Sequence, residues 1–547
     1  MSLNDGSPNT AHCRWWAVAE IVLIFLLMFL FAGWPPPDVN EAHYLAKAKH
    51  YWQPDWCAGD HFLESADAHL VFYWTFGWLT LLFSLPTVAW IGRLATWVLL
   101  AWSWRRLSYA TVPHRMASVL TACLFLLFTQ RFHMAGEWVI GGVEAKGFAF
   151  VLVFLALERM LRGRWSVAWI LLGLATSFHV LVGGWSLIAA GCAWISCGHQ
   201  RPSLRSMLPA MLVGALLALP GLIPAIALSR SADPAIVSQA NDIYVFHRLS
   251  HHLVFHRFQH SNMLWHGLLL VIWLAACLAT PCTLCADRLG QRPLRGFVGG
   301  AVALAVVGII IDQSIVIGIT LVPSVRDQLM AISASLLKYY WYRLSDAMLP
   351  AGAAIALVAF IRSLEARRRA VGQWALAAAV VIAGANLGYT NYQQNSDLRP
   401  RADVQMLPSW EKDAARSRQT YQDWCRVCRW INDHTEPDAK FLTPYAQQTF
   451  KWYAQRSEVC SWKDVPQDSA GVVEWRRRQQ EVHPRLVIRG GLVIHGEDRL
   501  LELADKYDVD YILVDRTVSR RALLLPRVYP PSFSKLDPSY EVYRVPR

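Results

Sequence analysis

The chain has 547 residues, of which 54% are hydrophobic and 26 are tryptophan, and its formal net charge is +12. This length allows two or three domains. The positive charge is concentrated in short loops between apolar segments, a pattern typical of the cytoplasmic loops of membrane proteins and not of nucleic-acid binding. The basic residues concerned are Arg105, Arg106, Arg162, Arg164, Arg201, Arg205, Arg362 and Arg367–Arg369.

The apolar segments predict about eleven membrane-spanning helices. Each has roughly the length that a helix needs to cross the bilayer core, about 17–25 residues. The first follows Arg14 and has no small-x-small cleavage pattern after it, so we predict an uncleaved anchor. The predicted spans are 16–34, 87–103, 116–130, 147–161, 166–180, 182–197, 207–229, 263–280, 297–321, 345–361 and 373–390.

The aromatic-rich segment 68–83 is a twelfth candidate span. If it crossed the membrane, the basic clusters at 105–106, 162–164 and 367–369 would lie outside; as an interfacial or re-entrant helix it leaves every cluster inside. We therefore predict an interfacial helix within a first outer loop, residues 35–86. It follows that the N-terminus is cytoplasmic and the C-terminus is extracytoplasmic, in a multi-pass protein of the inner (cytoplasmic) membrane.

Residues 391–547 have the composition of a water-soluble domain, so we predict a transmembrane domain, 1–390, and an outer domain, 391–547. The stretch "CRWINDHTEPDAKFLTP" indicates a helix, a turn and a short strand. The stretch "EDRLLELADKYDVDYILVDRT" indicates an amphipathic helix followed by a buried strand, and "YEVYRV" alternates as a final edge strand would. The predicted fold class is an α-helical polytopic membrane bundle with a small C-terminal α/β domain.

Two acids, Asp38 and Glu41, follow the prolines that end the first predicted span, in "WPPPDVNEAHYLAKAKHYW". The segment after them has helical spacing. A carboxylate in the reduced dielectric of the membrane surface can act as a base toward a hydroxyl. A capping arrangement, with Asp38 as N-cap and Glu41 three residues later, is an equally good interpretation, and the two do not exclude each other.

Further ionisable residues fall at the predicted outer ends of other spans. Glu137, Glu144 and Lys146 lie in "GEWVIGGVEAKGFAF", where a structural ion pair is the alternative to a polar cavity. His179 ends another span, and it could be an ordinary polar group there.

The stretch "KYYWYRLSDAMLP" carries Lys338, Arg343 and Asp346 at the start of a span. A basic pair at this position could hold a phosphate by charge-assisted hydrogen bonds, and interfacial snorkelling is the alternative. Asp312 lies inside another span and could mark a break in its helix.

Metal and disulfide sites remain open as alternatives. His252 and His256 have the spacing of helical metal ligands within the histidine-rich loop 247–260, although binding of an anionic lipid head group explains these histidines equally well. Two CxxC pairs, Cys282 with Cys285 and Cys425 with Cys428, fall on opposite predicted sides of the membrane, which disfavours a shared zinc site. A disulfide involving Cys425, Cys428 or Cys460 is possible.

An acidic pair in the first outer loop, directly after the first span, resembles the GT-C class of membrane glycosyltransferases, which includes protein O-mannosyltransferases and aminoarabinose transferases. The stretches "EAKGFAFVLVFLALERMLRGR", "LGLATSFHVLVGGW" and "WINDHTEPDAKFLTP…KYDVDYILVDR" look like segments of uncharacterised bacterial relatives. This chain has Asp-Val-Asn-Glu where many members have adjacent Asp-Glu or Asp-x-Asp.

The resemblance implies a sugar transfer from a polyprenyl-phosphate donor, with inversion, to an outer glycan, lipid or protein acceptor. It maps the base to Asp38, with Glu41 as a weaker counterpart, and it makes Arg343 and Lys146 phosphate-facing candidates. We also expect membrane lipid as a partner, no nucleic acid, and no cofactor other than a possible divalent metal ion. A transporter or flippase and a non-catalytic assembly protein are the alternatives.

Overall fold

The computed structural model describes residues 8–230, 232–280, 290–404, 414–531 and 538–546. Most of these residues are helical. The α-helices, numbered in chain order, are α1 (Pro8–Ala32), α2 (Glu41–Trp52), α3 (His61–Glu64), α4 (Leu70–Thr75), α5 (Leu85–Thr111), α6 (Ala117–Arg131), α7 (Ala145–Leu161), α8 (Trp165–Phe178), α9 (Val180–Ser196), α10 (Leu204–Arg230), α11 (Pro234–Asp242), α12 (Ser250–Leu253), α13 (His260–Ala279), α14 (Arg292–Leu321), α15 (Arg326–Leu337), α16 (Arg343–Arg367), α17 (Arg369–Ser396), α18 (Arg401–Val404), α19 (Ala414–His434), α20 (Phe450–Ala454), α21 (Ser469–Val482), α22 (Arg485–Gly490) and α23 (Glu497–Tyr507).

Every predicted span coincides with one helix: α1, α5–α10, α13, α14, α16 or α17. Within the described residues, seven of these helices are long and apolar enough to cross a membrane, namely α1, α5, α10, α13, α14, α16 and α17. Three others, α6, α8 and α9, are apolar but shorter. A helix satisfies its own main-chain hydrogen bonds, which is why such segments are stable in lipid. The chain is a polytopic helical membrane protein.

Segment 68–83 does not form one continuous helix. It folds into the short helix α4 and a 3₁₀ turn, Gly77–Leu81. Neither is long enough to cross a bilayer core, which needs about 20 helical residues. The structure therefore agrees with a segment that does not span the membrane.

Internal packing divides the chain into two compact units. The first, which we call the bundle unit, contains Met1–Gly33, Arg93–Ile223 and Tyr244–Asp397. The second, the sheet unit, contains Trp34–Gly92, Pro224–Ile243 and Leu398–Arg547. The segment predicted as the first outer loop thus folds with the C-terminal residues.

Within the bundle unit, α16 is the most deeply buried of the long helices. It contacts α6, α13, α14 and α17. Small side chains allow this close approach: a Cβ added at Gly352 would lie 2.7 Å from Val298 of α14. Small residues serve this purpose in membrane bundles, where van der Waals packing drives helix association.

Helix α14 continues through Asp312 without interruption, so the predicted break is wrong. The buried carboxylate of Asp312 instead accepts a hydrogen bond from the main-chain N–H of His256 at 3.1 Å. The His256 ring nitrogen Nδ1 also lies 3.1 Å from each carboxylate oxygen. Because His256 provides a hydrogen-bond partner, the buried carboxylate of Asp312 is accommodated within a continuous helix.

The sheet unit contains a five-stranded sheet with strand order β2-β1-β3-β5-β4. The strands are β1 (Lys440–Leu442), β2 (Ser457–Glu458), β3 (Tyr511–Asp515), β4 (Arg527–Tyr529) and β5 (Tyr540–Arg544). Strand β1 pairs in parallel with β2 and β3, whereas β5 pairs antiparallel with β3 and β4. The predicted helices and buried strand are present at α19, α23 and β3. The last strand is not at an edge, because β4 pairs beyond it.

Alternation along β3 places the two cores of the sheet unit on opposite faces. Ile512 and Val514 pack with residues of α23. Tyr511 and Leu513 pack with residues of α19 and α20. Successive strand residues point to opposite faces, so both faces of this sheet are covered by helices.

Candidate functional site

The bundle unit brings together five of the residues that the sequence singled out. These five, which we call the Glu137 cluster, are Glu137, Glu144, Lys146, His179 and Arg343. The Lys146 ammonium lies 2.6 Å from Glu137 Oε1 and 3.3 Å from Glu144 Oε2. Arg343 Nε lies 2.7 Å from Glu137 Oε2. Glu137 therefore joins the two cations, and the ion pair considered as the structural alternative is present.

Charge governs the protonation of Glu137. Burial alone would raise its pKa, but Arg343 and Lys146 outweigh burial and hold the pKa below its ordinary value. Glu137 is thus an anion that neutralises both cations. An anionic ligand reaching Arg343 or Lys146 would compete with this carboxylate.

His179 joins the cluster through Arg343, whose Nη1 lies 3.0 Å from His179 Nε2. A guanidinium only donates hydrogen bonds, so His179 Nε2 is the acceptor in this contact. The guanidinium also lies 4.0 Å from the ring centroid of Tyr340. Arg343 is therefore held between a carboxylate, an imidazole and an aromatic face, which fixes its orientation.

Asp346 supports the loop that carries Glu137. Its buried carboxylate accepts hydrogen bonds from the main-chain N–H groups of Met134 at 2.7 Å, Ala135 at 2.8 Å and Glu137 at 3.2 Å. The turn contains Gly136 with φ +80°, a conformation that side chains rarely adopt. Asp346 thus positions Glu137 from the first turn of α16.

Lys338 lies between α15 and α16. Its ammonium is 5.3 Å from the ring centroid of Tyr339, and burial lowers its pKa. A role for Lys338 in substrate binding stays a prediction.

Asp38 and Glu41 are buried together in the sheet unit, at the start of α2. Glu41 Oε2 accepts a hydrogen bond from the Asp38 main-chain N–H at 2.7 Å. Asp38 Oδ1 accepts one from the Val39 N–H at 2.7 Å and lies 3.5 Å from Arg401 Nη1. The N-cap residue itself is Asn40. The prediction of Asp38 as the N-cap is therefore wrong, although the hydrogen bond from the Asp38 N–H to Glu41 has the spacing of one half of a capping box. Arg401 of α18 lies next to Asp38.

A second group of buried charges in the sheet unit was not predicted from the sequence. We call it the Lys451 cluster: Lys451, Asp60, Glu458, Asp464 and His43. The Lys451 ammonium lies 2.6 Å from Glu458 Oε1, 2.7 Å from Asp464 Oδ2 and 3.4 Å from Asp60 Oδ2. Asp464 Oδ1 lies 3.1 Å from His43 Nδ1. Because His43 belongs to α2, this cluster connects the helix that follows Asp38 to the C-terminal residues.

The protonation states of the Lys451 cluster follow from burial and mutual attraction. Burial alone would lower the pKa of Lys451, but the surrounding acids, Asp464 foremost, raise it well above its usual range. Burial raises the pKa of Glu458 to about 7. The cluster contains three carboxyl groups around one ammonium group. The positive charge of Lys451 therefore compensates the buried acids.

Asp403 of α18 is a buried acid in the same unit. It accepts hydrogen bonds from Thr449 at 2.6 Å and Tyr453 at 2.7 Å, and burial raises its pKa to about 6. The unfolded value is about 3.9. The folded state therefore binds this proton more tightly, so the stabilisation is complete below pH 4 and is lost as the pH rises to 6.

We expect Asp403→Asn to flatten the pH dependence of stability between pH 4 and 6, by up to about 3 kcal/mol. The measurement is the thermal unfolding midpoint of the full-length protein in detergent, followed by tryptophan fluorescence. Asp438→Asn, at an exposed acid, is the matched control and should leave the profile unchanged. Identical profiles for Asp403→Asn and the native protein would contradict the assignment.

Comparisons with known proteins cover the chain unevenly. A family model described as a domain of unknown function, DUF6798, matches residues 422–482. This segment contains Lys451, Glu458 and Asp464. No curated protein matches the chain.

Among solved structures, the chain is similar to the oligosaccharyltransferase of Archaeoglobus fulgidus tethered to an acceptor peptide containing the NVT sequon. The two sequences are 13% identical and the TM-score is 0.44, and the match covers 92% of this chain and 69% of that chain. A structure of archaeal oligosaccharyltransferase AglB from the same organism, with an inhibitory peptide and a dolichol-phosphate, matches with 13% identity, a TM-score of 0.42 and the same coverages, 92% and 69%. A complex of the oligosaccharyltransferase with Zn and sulfate matches with 11% identity, a TM-score of 0.44, and coverages of 91% and 68%.

Within the described residues, the structure shows neither a metal-binding cluster nor a disulfide bond at the residues considered for them. The described part of the chain contains no group of three or more His, Cys, Asp or Glu side chains arranged to hold a metal ion. His252 is used structurally: its Nδ1 lies 2.5 Å from the carbonyl oxygen of Ala135. Cys425, Cys428 and Cys460 are free thiols. Cys282 and Cys285 lie outside the described residues.

Proposed function

We propose that this chain is a membrane glycosyltransferase of the GT-C type, which transfers a sugar from a polyprenyl-phosphate donor to an extracytoplasmic acceptor. The observation that carries the proposal is the burial of Asp38 and Glu41 side by side at the start of α2, directly after the first candidate span. Carboxylates that follow a candidate membrane span directly in the chain suit chemistry on a lipid-linked substrate. We propose the GT-C class only, and neither a protein O-mannosyltransferase nor an aminoarabinose transferase specificity.

Asp38 is the proposed base. The acceptor hydroxyl oxygen forms a bond to the anomeric carbon, the bond from that carbon to the phosphate oxygen breaks, and the hydroxyl proton passes to Asp38. The electron pair leaves with the polyprenyl phosphate, and direct attack inverts the anomeric configuration. A phosphate is a stable leaving anion, so a single base is sufficient. Glu41 holds the Asp38 main chain through its 2.7 Å hydrogen bond.

A cationic side chain must meet the departing phosphate. The resemblance makes Arg343 and Lys146 candidates for binding an anionic phosphate, with Glu137 as the anion that neutralises them until a phosphate binds. Arg401 is a further candidate that the sequence did not suggest, because it lies 3.5 Å from Asp38. No step is assigned to a metal ion.

The test is transfer or hydrolysis by purified full-length protein supplied with a panel of radiolabelled polyprenyl-phosphate sugars. The native protein should release polyprenyl phosphate, and Asp38→Asn should reduce the rate by about 10²–10⁴-fold, the usual contribution of a general base. Asp55→Asn, at an exposed acid of the same segment, is the matched control and should keep full activity.

Each failure has a distinct meaning in this experiment. Full activity of Asp38→Asn would eliminate the proposed base but keep the enzyme. A native protein that binds the donors without turnover would favour a non-catalytic assembly protein. Movement of a lipid-linked sugar across a vesicle membrane without bond cleavage would favour a transporter or flippase, for which the paired intramembrane acid Asp312 is the supporting observation.

A further inference from the structure

Two segments of the sheet unit have an unusual charge pattern. They are "PRLVIRGGLVIH", residues 484–495, and "RTVSRRALLLPR", residues 516–527. Together they contain six arginines and neither aspartate nor glutamate. In a soluble domain exposed arginines are usually interspersed with acids. Arginines without acids in the same two segments therefore suggest a negatively charged binding partner.

The two segments pack against each other. Val487, Leu492, Val493 and Leu523 belong to one buried core. The side chain of Glu497, at the start of α23, accepts a hydrogen bond from the Leu524 N–H at 2.5 Å. Gly491 has φ +76°, and a Cβ there would lie 3.0 Å from Val518. The segments therefore present one continuous surface.

This surface combines exposed aliphatic and basic side chains, and we call it the arginine–aliphatic patch. Leu486 is 74% exposed and Leu524 is 91% exposed, with Ile488 and Ile494 also exposed. Its four exposed arginines are Arg485, Arg489, Arg520 and Arg521.

These four arginines differ from the two others in the segments. Arg516 and Arg527 pair with Glu541, at 3.5 and 3.0 Å. Within the described residues, the four arginines of the patch make no ion pair. Their charge is available to a ligand outside the sheet unit.

We infer that the arginine–aliphatic patch binds the anionic head groups of a lipid bilayer. Aliphatic side chains enter the boundary between head groups and acyl chains, and each basic residue near an anionic membrane contributes about 1 kcal/mol. A bilayer is always near, because the same chain carries seven candidate spans. Four unpaired arginines complement anionic lipid specifically, whereas an apolar protein partner would not require them. The inference is independent of the proposed glycosyltransferase activity.

The test is hydrogen–deuterium exchange of the full-length protein in nanodiscs of phosphatidylcholine alone or with phosphatidylglycerol. We expect amides of 484–495 and 516–527 to exchange about tenfold more slowly with phosphatidylglycerol, because four basic contacts favour the docked state. High salt should remove the difference, since such attraction is screened. Equal exchange in both lipids would overturn the inference.

Two sets of variants identify the groups responsible. Replacing Arg485, Arg489, Arg520 and Arg521 by glutamine should abolish the lipid dependence. Replacing Arg418 and Arg429 of α19 by glutamine is the matched control, because both are exposed on the helix that covers the other face of the sheet. Lipid dependence that survives in the quadruple variant would overturn the inference. So would protection that rises with protein concentration in neutral lipid, since the occupant would then be a second copy of the chain.

Discussion

Replacing Lys451 with methionine is expected to unfold the sheet unit at neutral pH. Methionine keeps the length of the side chain but removes the ammonium that lies within 3.4 Å of three buried carboxylates. Removing one partner of a buried charge pair costs about 3–5 kcal/mol, because the remaining charge is left uncompensated. That loss is a large share of the stability of a typical domain, about 5–15 kcal/mol.

The result is measurable in the full-length protein by limited proteolysis and by thermal unfolding. The native protein should resist cleavage within residues 440–515, and Lys451→Met should be cut there at neutral pH. Lower pH should restore part of the resistance, because protonation removes the repulsion among the acids. Lys506→Met is the matched control: its ammonium pairs with Glu481 at 2.6 Å at the surface, and surface pairs contribute about 0–1 kcal/mol.

A double substitution separates charge from packing. In a Glu458→Gln background one buried acid is already neutral, so Lys451→Met should cost less than it does in the native protein. Coupling between neighbours of this kind amounts to about 0.5–3 kcal/mol. Equal costs in the two backgrounds would show that Lys451 acts through its packing and not through its charge.

Local signals explain what the sequence could predict of the fold. A continuous apolar run is visible without knowledge of its neighbours, so each predicted span coincides with a helix. The same holds for "YILVD", whose β-branched and apolar residues form β3. The sequence predicts an edge position for the final strand, because its partner β4 has only three residues, Arg527–Tyr529, too few to give a recognisable pattern.

The candidate sites depend on contacts between distant segments, and these have no periodicity to detect. Glu137, Lys146 and Arg343 were found because charged residues at the ends of apolar spans are unusual in themselves. Asp60 and Lys451, by contrast, lie in ordinary polar surroundings of the sequence and meet only in the fold. The stretch "FKWYAQRSEVCSWKD" mixes charged and aromatic residues, which is the signal that the sequence offers for this cluster.

Asp312 shows the limit of an interpretation that considers one segment alone. An acid within a span suggested a broken helix, because an unpaired carboxylate is costly in lipid. The structure keeps the helix and supplies His256 from a loop 56 residues earlier in the chain. Whether a buried acid breaks a helix or finds a partner is decided by tertiary packing.

Replacing Asp346 with asparagine should release the loop that carries Glu137. Three main-chain N–H groups, those of Met134, Ala135 and Glu137, would lose a charged acceptor. A hydrogen bond to a charged group contributes about 1.5–3 kcal/mol, and the amide nitrogen of asparagine would face a donor. We expect a loss of about 3–5 kcal/mol, because a buried charged partner is removed from several donors at once.

The decisive measurement is hydrogen exchange of residues 132–144 in the full-length protein, because it reports on the loop and not on overall folding. Asp346→Asn should speed exchange there by about a hundredfold, which corresponds to roughly 3 kcal/mol of lost local stability. Asp327→Asn, at an exposed acid in the first turn of α15, is the matched control. Because Glu137 orients both Arg343 and Lys146, the variant should also weaken binding of a polyprenyl phosphate. Unchanged exchange in the loop would show that neighbouring contacts hold Glu137 in place without Asp346.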